Sequence, residues 1–147
     1  MKKFVFVLSL LVFWSANVWG QENNLSAKVK ERAQKIYDDC IQIYEHNQKT
    51  TSDMIVRNIK INNCLEQAIK SEIKIGFSQK QQDKMIENLN RIRKSALAFY
   101  QTFHTENIYC DNSCGSMSSL FSYADEGQIL YNILENLIYL NMKNNGY

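Results

Sequence analysis

The stretch Asn88–Tyr123 decides the fold, and it reads NLNRIRKSALAFYQTFHTENIYCDNSCGSMSSLFSY. Apolar residues recur in its first part at three- and four-residue steps, which is typical of an amphipathic helix. Cys110 and Cys114 then bracket the residues Asp-Asn-Ser, a combination that favours a turn. A Gly-Ser-Met step at 115–117 begins another apolar pattern. We therefore predict a long helix, a turn and a further helix.

The N-terminus has the layout of a secretory signal peptide. Lys2 and Lys3 precede an almost wholly apolar run, and small or polar residues continue to Gly20. The apolar run is shorter than the roughly 20 residues that a membrane span requires. We predict a cleaved signal peptide at 1–20 and a single helical domain at 21–147. We expect the mature domain to be periplasmic or secreted, without a membrane segment.

The charge of the expected mature domain is balanced. The chain has 17 basic and 15 acidic residues, and the signal peptide would remove two lysines and no acid, leaving 15 of each. Nucleic-acid binding depends on clustered positive charge that neutralises phosphates. We therefore expect no nucleic-acid partner.

The composition favours helices, because the chain contains no proline and few glycines. Four apolar patterns at helical spacing follow one another, and short polar breaks separate them. The first runs from Leu25 to His46, and the second ends near Ile75. We therefore predict an all-α fold, an antiparallel bundle of about four helices stapled by disulfides.

Capping and helix-breaking residues give the expected boundaries. Ser, Thr and Asp side chains can bind the free amides of a first helical turn. Glycine favours the left-handed conformation that ends many helices, and asparagine weakens a helix interior. The expected N-caps are Ser26, Thr50 with Asp53, Ser78 with Gln81, and Ser116 or Ser118. Gly76 is an expected terminator, Asn62 and Asn63 mark an expected kink or second helix start, and Gly127 is a weak point.

Four cysteines, an even number in an exported chain, indicate two disulfides. Three pairings are open from the sequence. Helix register favours Cys40–Cys64 together with Cys110–Cys114, provided that the first turn, expected near Lys49, is uneven or the second helix is kinked. A zinc site is the alternative, but the spacing lacks a second Cys-x-x-Cys. We therefore expect no metal.

No catalytic motif is present in the sequence. Cys110 with His104 is the nearest approach to a nucleophile pair, and a disulfide cysteine beside a surface histidine is the simpler interpretation. We expect that the protein is not an enzyme and that it binds no cofactor. The aromatic residues Phe99, Tyr100, Phe103 and Tyr109 have helical spacing, which is more typical of a core than of a ligand face.

Four short pieces of sequence carry a family resemblance. They are Asn-Asn-Cys-Leu at 62–65, Ser-Ala-Leu-Ala-Phe at 95–99, an acid-to-cysteine step at 106–110, and Gly-Ser-Met at 115–117. In this order and with the export signal, the chain resembles the lysozyme inhibitors with an LprI-type N-terminal domain. It departs from the family pattern at Phe99 or Tyr100, where a tryptophan is usual, and at His104, where an arginine is usual.

The resemblance implies an exported helical binding protein, in which a loop at one end of the bundle blocks the cleft of a lysozyme. An alternative is a structural or interaction protein of the cell envelope without inhibitory activity, which would bind its partner through an exposed helix face. An apolar surface of several hundred Å2 would favour that alternative. The expected partner contacts are Asp111, Asn112, Ser113, Ser116 and Met117.

Overall fold

The computed structural model describes residues 24–44, 50–107 and 115–146. Helix α1 spans 24–43, and the helices that follow are α2 (Thr51–Gly76), α3 (Gln79–Asn107) and α4 (Gly115–Asn144). The described residues contain no strand. The prediction of an all-helical bundle is therefore confirmed. The signal peptide predicted at 1–20 lies outside the described residues.

Helices α2 and α4 form the central pair of the bundle. Asn58 and Asn62 donate hydrogen bonds from α2 to the carbonyl oxygens of Leu120 and Tyr123, at 3.5 and 2.8 Å. Further along both helices, Asn141 donates to the carbonyl oxygen of Glu72 at 2.9 Å. Residue numbers therefore rise together along the two helices.

Helix α1 is joined to α2 by a disulfide and an ion pair. Cys40 is bonded to Cys64, and the Arg32 guanidinium contacts the Glu72 carboxylate. In each pair the two residue numbers average to 52. Residue numbers therefore fall along α1 as they rise along α2. The ring of Tyr37 on α1 also packs edge-on against Tyr131 of α4, with ring centroids 5.6 Å apart.

Helix α3 lies beside α4 and makes few direct contacts with α2. Arg93 pairs with Glu66 of α2 and Glu126 of α4, and the Ser118 hydroxyl of α4 donates to the Gln101 carbonyl at 3.5 Å. Residue numbers in α3 therefore fall as those in α4 rise.

The core lies where the inner faces of α1, α2 and α4 meet. Side chains of α2 and α4 supply most of its fully buried volume, and α1 adds smaller ones. Of the α3 side chains that the structure describes, Leu89 alone is buried. The buried apolar residues are Leu25, Val29, Ala33, Cys40, Ile61, Leu65, Ile69, Ile73, Leu89, Leu130, Leu134, Leu137 and Ile138.

The predicted helix caps have mixed outcomes. The capping box of Thr50 and Asp53 is confirmed, with the Asp53 amide donating to the Thr50 hydroxyl at 3.1 Å. Half of the second box forms, since the Gln81 side chain accepts from the Ser78 amide at 3.0 Å. The cap at Ser26 is wrong, because α1 already includes residue 24.

The predicted caps of α4 are also wrong, because the helix begins at Gly115. Ser116 and Ser118 are therefore its second and fourth residues. The hydroxyl of Ser118 is buried and turned toward α3, so tertiary packing uses the side chain that local capping was expected to use.

The predicted Cys40–Cys64 disulfide is confirmed, with 5.8 Å between the two Cα atoms. Helix α2 is uninterrupted from Thr51 to Gly76, so a second helix start at Asn62 and Asn63 is wrong. The register of α1 and α2 is uneven, as the bond requires, because their paired residues are centred on residue 52 and not near Lys49. The second predicted disulfide, Cys110–Cys114, lies outside the described residues.

Replacing Cys40 and Cys64 together by alanine should lower the free energy of unfolding by about 3 kcal/mol. The bond closes a loop between residues 24 apart in sequence, and its loss frees the unfolded chain. Urea titration followed by circular dichroism measures the change. A double variant that unfolds at the wild-type urea concentration would contradict it.

Candidate functional site

The predicted partner contacts fall at the junction of α3 and α4. Asp111, Asn112 and Ser113 lie outside the described residues, and Ser116 is in the first turn of α4. Met117, the next residue of that turn, is exposed. Met117 is therefore the one predicted contact whose side chain the structure describes, and this side chain is accessible to solvent.

Several large apolar side chains are exposed at the end of the bundle that contains Met117. This end is formed by the start of α2, the end of α3 and the start of α4, as the Asn58–Leu120 and Gln101–Ser118 hydrogen bonds show. The last residues of α1 also lie there, close to the Cys40–Cys64 bond. We call this region the apolar end; apart from α3 its exposed large residues are Ile43, Met54, Val56, Met117 and Phe121.

The aromatic residues near the end of α3 do not belong to the core. Phe99 and Phe103 are exposed, and their rings stack with centroids 6.2 Å apart. Phe99 also meets Tyr100 edge-on at 5.3 Å. The core interpretation of these residues is therefore wrong for Phe99 and Phe103. Tyr109 lies outside the described residues.

A polar cluster inside the bundle joins α2, α3 and α4. The Asn62 amide donates to Glu126 Oε2 at 2.9 Å, and Arg93 Nε donates to Glu126 Oε1 at 2.7 Å. Arg93 also forms an ion pair with Glu66, and Glu66 forms a second ion pair with Lys70. Asn62 and Glu126 are each only 2% exposed. We call these residues the Arg93 cluster. Hydrogen bonds to charged groups are stronger than those between neutral groups, so the cluster binds α3 firmly to the central pair.

A second polar cluster lies near the other end of the central pair. The Asn141 amide donates to Glu72 Oε2 at 2.8 Å and to the Glu72 carbonyl oxygen. Arg32 of α1 contacts the same carboxylate, which is buried. Both clusters therefore follow one plan. A buried asparagine crosses between α2 and α4 to a buried glutamate, and an arginine from an outer helix neutralises that glutamate.

Two glycines make room for these asparagines. A Cβ atom at Gly127 would stand 2.7 Å from Asn62 Oδ1, and one at Gly76 would stand 1.8 Å from Asn141 Oδ1. Gly76 does not have positive φ, so its predicted left-handed conformation is wrong. The buried Asn141 Oδ1 has no conventional donor, and the glycine Cα–H faces it instead. Both glycines therefore serve close helix approach.

The Arg93 cluster opens on one side to a cleft of about 520 Å3 along α3. Its rim carries Arg91 and Glu87, which pair with each other at 3.0 Å, together with Lys94. The two deepest groups, Arg93 and Glu126, already bind each other. Glu126 thus receives one cationic and one amide donor, and Glu66 receives two cationic donors. These contacts stabilise the packing of α2, α3 and α4.

The sequence contains a signal for these clusters that helix periodicity alone does not reveal. Asn62 lies one turn before Leu65 on the apolar face of α2, and Asn141 follows Ile138 on the apolar face of α4. A polar residue on an apolar face is buried and requires a partner. The partner itself is set by register, which periodicity does not give.

Within the described ranges, no group of three or more potential ligands is placed to hold a metal ion. Among those same residues, none of the helices has the length and apolar character of a membrane span. Comparisons with protein-family models, curated proteins and solved structures find no match to this chain. The function is therefore argued from the exposed surfaces and from the resemblance.

Replacing Gly127 by alanine should destabilise the protein by about 1–3 kcal/mol, since the new methyl group would collide with Asn62. A glycine that merely weakened its helix would give the opposite sign, a gain of about 1 kcal/mol. Chemical denaturation distinguishes the two signs. In an Asn62→Ala background the collision is removed, and the same substitution should become neutral or stabilising.

The Arg93 cluster should make stability depend on pH. Burial alone raises the pKa of Glu66, but the Lys70 hydrogen bond and the Arg93 charge together lower that pKa from its usual 4.5. Because the pKa is lower in the folded state, the stabilisation is complete above pH 4.5 and is lost as the pH falls below it.

Glu66→Gln should therefore flatten the fall in unfolding free energy between neutral and acidic pH. Glu87→Gln is the matched control, because Glu87 pairs with Arg91 on the surface and is 71% exposed. Denaturation series at several pH values measure both. Equal slopes for Glu66→Gln and the wild type would show that the Glu66 carboxylate is not coupled to folding.

Proposed function

We propose that the mature chain is an exported binding protein, an antiparallel helical bundle that presents its apolar end to a protein partner. Helix register supports the arrangement, because each helix pairs with the next in chain order with residue numbers running in opposite senses. Export to the periplasm or beyond is supported by the Cys40–Cys64 disulfide, since such bonds persist in oxidising compartments.

The observation that carries the proposal is the exposure of large apolar side chains around Met117. Phe121 is 41% exposed and Met117 38%, and Met54 and Val56 of α2 lie at the same end. Methionine and aromatic residues are enriched at protein interfaces. In the sequence, Met117 follows closely after residues 111–113, which the resemblance implies as a binding loop. A partner that covered this end would remove several apolar groups from water at once.

The first partner to test is a lysozyme, as the resemblance implies. In that mechanism residues 111–113 enter the lysozyme cleft, and Met117 with Phe121 pack against its rim. The second candidate is an envelope interaction protein that binds without inhibiting. This candidate would use the same exposed side chains of α4, Met117 and Phe121, because an exposed helix face is the surface such a protein would use.

Purified mature protein at micromolar concentration should slow the clearing of a bacterial cell-wall suspension by lysozyme, measured by turbidity. Phe121→Asp should restore clearing, because it places a charge where apolar contact is expected. Leu140→Asp is the matched control, since Leu140 is 43% exposed at the opposite end of the bundle. Clearing at the normal rate with wild-type protein would end the inhibitor proposal.

Isothermal titration calorimetry with the same lysozyme separates the two candidates. Heat of binding without slower clearing would support the interaction protein, and loss of that heat in Phe121→Asp would locate the contact at the apolar end. Absence of both binding and inhibition would exclude lysozyme as the partner.

A further inference from the structure

Helix α3 carries a solvent-exposed face without charge. Residues 95–103 read SALAFYQTF and include no acidic or basic side chain. Phe99 is 62% exposed and Phe103 47%, and Ile92, two turns before Phe99, is 44% exposed. Ser95 and Thr102 flank them and are exposed as well. This α3 face is distinct from the α4 side chains, Met117 and Phe121, used in the proposed function.

The α3 face is the continuation of an apolar seam that begins inside the bundle. Met85, Leu89, Ile92, Ala96, Phe99 and Phe103 follow at steps of four, three, four, three and four. This is the heptad spacing by which one helix packs along another. Leu89 is buried and Met85 packs against the core, whereas Ile92, Phe99 and Phe103 face solvent. The outer half of the seam thus has the pattern of a helix contact.

We propose that the α3 faces of two copies of this chain pair in opposite directions about a two-fold axis. The seam is symmetric about the midpoint of Leu97 and Ala98. Antiparallel pairing therefore sets Phe103 of one copy opposite Ile92 of the other, and Phe99 opposite Ala96. In the two central pairs the large ring of Phe99 meets the small side chain of Ala96, which allows the helices to pack closely. An isologous interface needs a surface that complements itself in this way.

Electrostatics also favours a second copy as the occupant. Two identical charged faces would repel each other, and residues 95–103 carry no charge. The expected mature domain has 15 basic and 15 acidic residues, so two copies meet without net repulsion. A net charge near zero promotes association.

The area of the α3 face determines the strength of the contact. A phenylalanine buries roughly 150–250 Å2 when it is covered, and about half of each of the two rings is exposed. With Ile92, the face offers roughly 300 Å2 of apolar surface per chain. Stable complexes bury about 800 Å2 per partner. The dimer is therefore reversible and forms at high protein concentration.

Sedimentation velocity of the mature, disulfide-intact protein tests the dimer from about 10 µM to about 1 mM, a range set by the small interface. The sedimentation coefficient should rise with concentration toward that of a dimer. Phe99→Asp should raise the dissociation constant at least about tenfold, because it buries an unpaired charge in the contact. Ile75→Asp is the matched control, since Ile75 is 63% exposed on α2, and it should dimerise like the wild type.

A sedimentation coefficient that is independent of concentration would overturn the proposal, as would a Phe99→Asp variant that dimerises like the wild type. Circular dichroism verifies that the variant is folded. In the unmodified protein, concentration-dependent amide shifts should be centred on Ser95 and Thr102. Shifts confined to Met117 and Phe121 would instead place the contact at the apolar end. Lysozyme binding does not enter this measurement, so either proposal can fail alone.

Discussion

The structure depends on the hydrogen bonds that Asn62 and Arg93 make to the carboxylate of Glu126. Burying a carboxylate is costly unless its charge is paired and its oxygens accept hydrogen bonds. Here one oxygen receives the amide of α2 and the other the guanidinium of α3. The same interaction therefore aligns three helices. Helix α3 relies on it most, because Leu89 is its one buried side chain among those described.

Glu72 repeats the arrangement near the other end of the central pair, with Asn141 across the helix contact and Arg32 from α1. Apolar side chains fill the space between the two clusters, and they would tolerate small shifts along the helix axes. The polar pairs do not, since a shift of one residue would leave a buried amide and a buried charge without partners. The polar clusters thus specify the register that the apolar core stabilises.

Exposed apolar residues form two groups on neighbouring helices. One group includes Met117 and Phe121 of α4, and the other is the α3 face around Phe99. The side chains of both groups are different from those that form the buried polar clusters.

The sequence by itself determined the helical fold and the capping box at Thr50, because composition and local hydrogen bonding act within one helix. It favoured Cys40–Cys64 among three pairings, and the register of α1 and α2 decided that bond. It assigned Phe99 to the core, which the tertiary structure reversed, and it identified Gly127 only as a weak point, to which the structure adds a close approach to Asn62. Local pattern marks which residues are small or apolar, but it does not say which helix lies opposite. Only packing decided that a glycine faces Asn62 and that α3 keeps its aromatic face in solvent, because both follow from the register of helices distant in sequence.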